Sequence, residues 1–254
     1  MGIKAIIKQI TPMPIRMMSR RLRRRTIEAK DKKRQTKDVF TEIYAENIWG
    51  DQQPFEDKDF PFYSGPGSGE HAAGPYADRI NSFIKTHNVR SVVDLGCGDF
   101  RVGSRIANES LRYTGVDIVE PLIQANQAKF GNELTEFRCL DIITDNLPPG
   151  ELCLVREVLQ HLSNAQIIRI LPKLRQFKWV LITEAWPGPA STFKPNRDKP
   201  HGREARVVWN SGVVLSEPPF NVAGVELLLE VPSVRGGHQE KERICTFLVS
   251  NPSH

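Results

Sequence analysis

Residues 92–99 read VVDLGCGD, an apolar run that ends in Asp94 and continues into a Gly-x-Gly turn formed by Gly96 and Gly98. Glycines at the end of a strand permit a tight turn into a helix and let backbone N–H groups approach a polar or anionic ligand. A simple tight connection has the same pattern, so the turn alone does not establish a ligand. The segment predicts a strand, a turn and a helix.

Short β-branched runs alternate with amphipathic stretches on both sides of this segment. Parallel strands need long return paths, so the alternation predicts a parallel sheet with helical crossovers. The predicted strands are Ser91–Leu95, Arg112–Asp117, Glu136–Asp141, Glu151–Arg156, Lys178–Glu184, Val225–Val231 and Ile244–Val249. The last two should pair antiparallel around the turn-like residues 235–237. The fold class is therefore α/β: a doubly wound, mostly parallel seven-stranded sheet with an antiparallel edge strand.

Acidic residues end the first three predicted strands. Asp117 follows Asp94 by 23 residues, and Asp141 closes the third strand. A carboxylate in the second position can accept hydrogen bonds from both hydroxyls of a ribose, and one in the third can accept from an adenine amino group. Each Asp on its own is equally a surface carboxylate or a helix cap. Their joint placement favours an adenosine-type ligand.

With these motifs, residues 91–163 resemble the class I S-adenosylmethionine-dependent methyltransferases, most of all the bacterial small-molecule and sugar-type members. The resemblance implies a Rossmann-like fold with S-adenosylmethionine as the cofactor. The cofactor-binding residues that it implies are Asp94, Gly96 and Gly98 at the methionine end, Asp117 at the ribose with Ile118 beside it, and Asp141 and Ile142 at the adenine.

Residues 154–162, LVREVLQHL, look like the fourth motif of that family, at the strand end that faces the transferred methyl group. His161 is the first catalytic candidate, because an imidazole can remove the proton of a hydroxyl acceptor near neutral pH. A packing or helix-start histidine is the alternative. Glu157 is the second catalytic candidate, with binding of the cofactor amine or of the acceptor as its alternative. Arg156 is expected to bind the cofactor or to pair with a carboxylate.

Two departures from the family pattern narrow the choice of cofactor and acceptor, and the cysteines bear on metal binding. Phe100 stands where many relatives have a third glycine, which argues against the Gly-x-Gly-x-x-Gly fingerprint of dehydrogenases. No Asn/Asp-Pro-Pro-Tyr/Phe motif follows the fourth predicted strand, so base amino groups are poorly supported as acceptors. The four cysteines occur singly, and no His, Cys and carboxylate cluster has metal-ligand spacing, so free thiols and no metal are expected.

Charge divides the chain. Residues 1–38 hold 13 Lys and Arg against 3 acids, which leaves 22 basic and 27 acidic residues in the remainder. We expect residues 1–38 to be a basic extension that is disordered or contacts an anionic membrane or nucleic acid. Residues 39–254 would form the methyltransferase domain, with helices over Phe40–Trp49 and Ala77–Asn88. The proline-rich residues 186–222 would form a loop on the substrate side, and together with the loop near Tyr63 they would close over the acceptor.

The first functional hypothesis is O-methylation of a small molecule or saccharide. Its alternatives are a nucleic-acid or protein methyltransferase guided by the basic extension, and a fold that binds S-adenosylmethionine without catalysis. No run approaches the ~18 apolar residues of a membrane span, and no secretory signal is visible. The expected location is therefore the cytoplasm, with a possible peripheral contact at the inner membrane face.

Overall fold

The fold, seen in a computed structural model that describes residues 13–50, 60–233 and 242–250, is built on a seven-stranded sheet. Its strands are β1 (Ser91–Leu95), β2 (Arg112–Asp117), β3 (Thr135–Cys139), β4 (Leu152–Arg156), β5 (Trp179–Pro187), β6 (Val225–Pro232) and β7 (Glu242–Ser250). They lie in the order β3-β2-β1-β4-β5-β7-β6. Strands β1 to β5 are parallel, and β7 runs antiparallel to both β5 and β6.

The predicted fold class is confirmed, with one refinement: the reversed strand β7 lies second from the edge, between β5 and β6. The predicted turn at residues 235–237 lies outside the described residues. Strands β2 and β3 lie on one side of β1, and β4 and β5 lie on the other. The helical connections therefore diverge at this point, and the carboxyl ends of β1 and β4 flank a crevice. Such a switch point is where doubly wound sheets bind their ligands.

Apolar residues on the central strands explain why the sheet is covered on both faces. Val93 and Leu95 of β1 belong to one buried cluster, whereas Val92 belongs to another. Successive side chains of a strand point to opposite faces, so these clusters lie on opposite sides of the sheet. In β4, Cys153 joins the first cluster and Leu154 the second, which repeats the alternation next to β1.

The described residues contain five α-helices. They are α1 (Met13–Asp31), α2 (Thr36–Ala45), α3 (Glu70–His87), α4 (Glu120–Phe130) and α5 (Asn164–Ile170). Helix α2 begins and ends four residues earlier than the predicted helix Phe40–Trp49. Helix α3 starts seven residues before the predicted first residue, Ala77, and contains Pro75. Among the described helices, none is both long enough and apolar enough to cross a bilayer.

Helix α1 belongs to the basic segment 1–38, for which a disordered extension was one of the expected alternatives. Its last residue, Asp31, is buried, and a Cβ at Gly202 would lie 2.7 Å from Oδ2 of Asp31. Arg24 Nε lies 3.7 Å from Glu204 Oε1. These contacts with the segment around residue 202 hold the helix against the domain. The repulsion between the like charges of this segment does not predict that packing. Residues 1–12 lie outside the described part.

Candidate functional site

A cleft at the carboxyl ends of the parallel strands brings together every residue that the sequence singled out. Its empty volume is about 1100 Å³, which includes the open mouth of the cleft. The residues of that set lining it are Asp94, Gly96, Gly98, Asp117, Ile118, Asp141, Ile142, Arg156, Glu157 and His161. Their meeting at one place is observed, and the individual role of each stays a prediction.

The Gly-x-Gly turn fits tightly between β1 and its neighbours. Gly96 and Gly98 have φ values of +80° and +56°, a left-handed conformation that favours glycine. A Cβ at Gly96 would lie 2.3 Å from Cγ2 of Val158, and one at Gly98 would lie 2.3 Å from Oγ of Ser64. The two glycines therefore let the chain pass close to the end of β4 on one side and to residue 64 on the other.

Asp94 and Asp117 are buried carboxyls at the ends of β1 and β2. Tyr113 donates its hydroxyl to Asp94 at 2.8 Å, and the N–H groups of Gly98 and Val119 donate to Asp117 at 3.2 and 3.1 Å. Burial raises the pKa of both carboxyls to about 6, although these hydrogen bonds favour the charged forms. Both groups are therefore largely charged at neutral pH, and each is held in one orientation.

Asp99 and Ser64 form a contact that the sequence did not reveal. The N–H of Ser64 donates to Asp99 Oδ2 at 3.0 Å, and the N–H of Asp99 donates to Ser64 Oγ at 2.7 Å. Tyr44 Oη lies 2.9 Å from the same hydroxyl. The reciprocal pair fastens the segment before α3 to the glycine turn. Ser64 and Asp99 are 35 residues apart, and no local pattern signals their contact.

Phe100, the departure from the glycine pattern, takes the conformation that a glycine would take easily. Its φ is +58°, which for a bulky residue costs of the order of 1–3 kcal/mol. Its buried ring contacts Tyr113, Phe130 and Phe137 at centroid distances of 5.3, 5.2 and 4.7 Å. Aromatic packing therefore offsets the backbone strain, so the turn keeps its shape without the third glycine.

Asp141 lies in the loop after β3, at the far end of the cleft. Its Oδ1 accepts the N–H of Ile143 at 2.8 Å, and its own N–H donates to Asp145 at 2.9 Å. Ile142 is buried in the first apolar cluster, and its neighbours Leu140 and Ile143 also line the cleft. This end combines a carboxylate with apolar side chains, a combination that suits a purine ring.

The end of β4 is strained at a cleft residue. Glu157 is not a glycine, yet its φ is +57°. Arg156 Nη1 lies 3.3 Å from Glu157 Oε2, and Arg156 Nη2 donates to the carbonyl of Gly67 at 2.7 Å. The Arg156 guanidinium also lies 5.0 Å from the centre of the Tyr76 ring. Arg156 thus pairs with a carboxylate, which is the alternative role expected for it. It also connects residues 66–68 to the end of β4.

His161 ends a 3₁₀ turn, Leu159–His161, that follows β4. Its Nδ1 lies 3.1 Å from the carbonyl oxygen of Gly202. A carbonyl only accepts, so Nδ1 carries the proton of the neutral ring and Nε2 is the basic nitrogen. The ring packs against Trp49 and Phe40, with centroids 5.2 and 6.3 Å away. Sequence reasoning found this histidine but not its aromatic neighbours from α2 and the loop after it.

Residues 186–222 support the turn after β4 and contribute none of the residues described as lining the cleft. Lys199 Nζ donates to the carbonyl of His161 at 3.2 Å, and Arg206 Nη2 donates to that of Leu162 at 2.8 Å. The indole N–H of Trp49 donates to the carbonyl of Arg203 at 3.1 Å. The segment near Tyr63 contributes Ser64 and Ser68 to the described lining of the cleft, and α2 contributes Thr36, Phe40 and Tyr44. Contact between residues 186–222 and an acceptor stays a prediction.

The cleft has an excess of negative charge. Among the described residues that line it, five are Asp or Glu and one is Arg. Carboxylates are acceptors only, so the cleft suits a ligand that carries hydroxyls, amino groups and positive charge. Within the described residues, no group of His, Cys, Asp and Glu is arranged to hold a metal ion.

No protein-family model and no curated protein matches this chain. Solved structures do match. The N-methyltransferase NodS from Bradyrhizobium japonicum WM9, in complex with S-adenosyl-L-homocysteine, is 13% identical with a TM-score of 0.54, over 80% of this chain and 95% of that one. The 1,6-didemethyltoxoflavin-N1-methyltransferase from Burkholderia thailandensis is 15% identical with a TM-score of 0.53, over 84% and 87%. The chain therefore has the Rossmann-like fold of the class I methyltransferases, as the resemblance implied.

Proposed function

We propose that this protein is an S-adenosylmethionine-dependent methyltransferase whose acceptor is a small molecule. The observation that carries the proposal is the meeting of the glycine turn with Asp94, Asp117 and Asp141 in one acidic cleft at the carboxyl ends of the strands. The two structural neighbours described above are named as methyltransferases and are bound to S-adenosylhomocysteine. They support the proposal through a shared fold.

The residues of the cleft fit S-adenosylmethionine by their chemistry. Each carboxylate oxygen of Asp117 accepts one backbone N–H and has capacity for a further donor, as a ribose hydroxyl requires. Gly96 and Gly98 both line the cleft, and without a side chain their backbone can approach a ligand closely. The negative cleft complements a sulfonium and an ammonium group. Asp94 would lie at the methionine end, and Asp141 with Ile142 at the adenine.

S-adenosylmethionine supplies a methyl group that its sulfonium already activates, so the protein chiefly has to align the acceptor and exclude water. We propose His161 as the general base for a hydroxyl acceptor, with Nε2 taking the proton while Nδ1 stays bonded to the Gly202 carbonyl. Trp49 and Phe40 fix the plane of the ring. Glu157 would bind the acceptor or the cofactor amine.

O-methylation of a small molecule or saccharide is our first choice, and N-methylation is the second because the two structural neighbours are named as N-methyltransferases. A screen with radiolabelled S-adenosylmethionine across small phenols, amines, glycans, lipids, RNA and proteins tests the acceptor class. We expect label to appear in a small molecule. Transfer to RNA or protein alone would contradict the proposal.

The role of the basic N-terminal segment also stays a prediction, as do the cytoplasmic location and the contact with the inner membrane face. Arg23 and Arg25 of α1 are exposed, whereas Arg24 contacts Glu204. A double Arg23→Gln and Arg25→Gln variant removes two exposed charges and keeps that contact. Unchanged turnover on a small acceptor favours our choice over a methyltransferase guided by the basic segment.

Binding of S-adenosylmethionine should weaken as the pH falls through about 6, the raised pKa of Asp94 and Asp117. A raised carboxyl pKa means that each group takes up a proton just below neutral pH. A protonated Asp94 no longer attracts the ammonium group, and a protonated Asp117 is a weaker acceptor for the ribose hydroxyls. Between pH 7.5 and pH 5 the dissociation constant should rise about tenfold for each carboxylate that must be charged. Calorimetry at both pH values checks this, and equal affinities would contradict it. Asp117→Asn should show a shallower dependence.

A further inference from the structure

We propose that Glu184 and Arg206 are positioning residues that hold the turn after β4, and with it His161, in place at the cleft. Glu184 belongs to β5, and Arg206 begins the 3₁₀ turn Arg206–Trp209 in the segment 186–222. Both side chains are fully buried. This inference rests on the proposed function, because it assigns the two residues to the same site.

Glu184 holds the beginning of the turn. One of its carboxylate oxygens accepts the N–H of Leu159 and the other that of Gln160, each at 2.9 Å. These N–H groups are at the start of the 3₁₀ turn, where the chain itself provides no acceptor for them. A carboxylate that accepts two adjacent N–H groups fixes both the position and the orientation of the backbone between them.

Arg206 holds the other end of the turn. Its Nη2 donates to the carbonyl of Leu162 at 2.8 Å, and its Nη1 donates to that of Arg197 at 2.6 Å. The planar guanidinium therefore links the residue after His161 to the neighbouring segment in a fixed geometry. Glu184 and Arg206 also stabilise each other's charge. His161 thus lies on a backbone that is held from both sides.

The strain at Glu157 explains why such support is needed. Its left-handed φ of +57° lies directly before the turn, and strained backbone persists at functional sites only where its surroundings hold it. Burial and the nearby Glu157 raise the pKa of Glu184, whereas its two N–H donors and Arg206 lower it. A fully buried carboxyl that accepts two N–H groups of the turn does more than fill space. Because transfer depends on alignment within fractions of an ångström, a displaced turn would slow the reaction.

Glu184→Gln tests the proposal, because its amide keeps the shape but has only one oxygen to accept from two N–H groups. In the protein without ligand, we expect hydrogen exchange at the amides of Leu159 and Gln160 to accelerate at least about tenfold, while Leu181 in β5 stays protected. The kcat of methyl transfer should fall about 10- to 100-fold, with the affinity for S-adenosylmethionine within about threefold of the original. Glu184→Asp, which keeps two carboxyl oxygens, should recover part of both losses.

Glu151→Gln is the matched control, since Glu151 also accepts a backbone N–H, from Arg90 at 2.6 Å, but at the opposite end of the sheet. It should leave exchange at Leu159 and Gln160 and the kcat unchanged. If Glu184→Gln does not fold, Arg206→Lys replaces it, because one ammonium cannot hold both carbonyls in the guanidinium geometry. Unchanged exchange, or accelerated exchange with an unchanged kcat, overturns the proposal. Failure of the unsubstituted protein to bind S-adenosylmethionine would instead contradict the proposed function.

Discussion

Replacing Asp117 with Ala should weaken the binding of S-adenosylmethionine by about 10- to 100-fold, because hydrogen bonds to a charged group contribute about 1.5–3 kcal/mol. Asp117 is the buried acid at the end of β2, and in our account it accepts hydrogen bonds from the ribose. The same substitution removes the acceptor of the Gly98 and Val119 N–H groups. Calorimetric titration measures the affinity, and thermal unfolding shows how much of the loss comes from the altered turn.

Two variants separate these causes. Asp117→Asn keeps the shape of the side chain but has one oxygen for the two N–H groups, so its unfolding temperature should lie between those of Asp117→Ala and the original protein. It should still bind several-fold more weakly than the original protein. Asp78→Ala removes an exposed carboxylate on α3, outside the described lining of the cleft, and should bind normally. An Asp117→Ala protein that folds and binds S-adenosylmethionine with unchanged affinity would show that the ribose is not bound there.

Replacing His161 with Asn should lower the kcat for a hydroxyl acceptor by about 10²- to 10⁴-fold, the contribution typical of general acid–base catalysis. The Asn amide can still donate to the Gly202 carbonyl in place of Nδ1, so the turn keeps that contact while the basic Nε2 is lost. The affinity for S-adenosylmethionine should change little. Steady-state kinetics with the acceptor found by the screen, together with calorimetry, measure both quantities.

His87→Asn is the control for this substitution. The Nδ1 of His87 lies 3.0 Å from the carbonyl of Phe83, a contact of the same kind in α3 and outside the described lining of the cleft. This variant should retain the full kcat. If His161→Asn also retains it, His161 is a packing residue, and the acceptor loses its proton without help from the ring.

The sequence was sufficient to predict the sheet and the meeting of the cleft residues, because both follow from strand order. Asp94, Asp117 and Asp141 each lie at or just after the end of a parallel strand, and those ends share one edge of the sheet. His161 was found for a similar reason, since it follows β4. A short local pattern was enough to locate these residues, because the position of a residue along a parallel strand determines whether it lies at the cleft.

The supporting contacts could not be predicted, because they join residues far apart in the chain. Glu184 is one acid in the run TEAWP, and nothing local shows that its two oxygens accept N–H groups about 25 residues earlier in the chain. The packing of α1 against Gly202 is equally hidden, because the basic composition of the helix suggests repulsion from any surface of like charge. Both the Glu184 contacts and the packing of α1 depend on residues that are far apart in the chain.

The contacts that residues 186–222 make with the turn after β4 could not be predicted for a comparable reason. Irregular, proline-rich residues 186–222 have the composition of a binding loop, but composition does not say which side of a turn they occupy. The structure places them behind the turn after β4, whereas Tyr44 and Trp49 lie at the cleft. Both residues belong to the predicted helix Phe40–Trp49, whose apolar pattern does not indicate a place at the cleft.

Calorimetric titration of the full chain with S-adenosylmethionine at pH 7.5 is the most direct test of the claim that the acidic cleft binds this cofactor. We expect saturable binding of one molecule per chain, and competition by S-adenosylhomocysteine. A folded protein that binds neither compound would contradict the account.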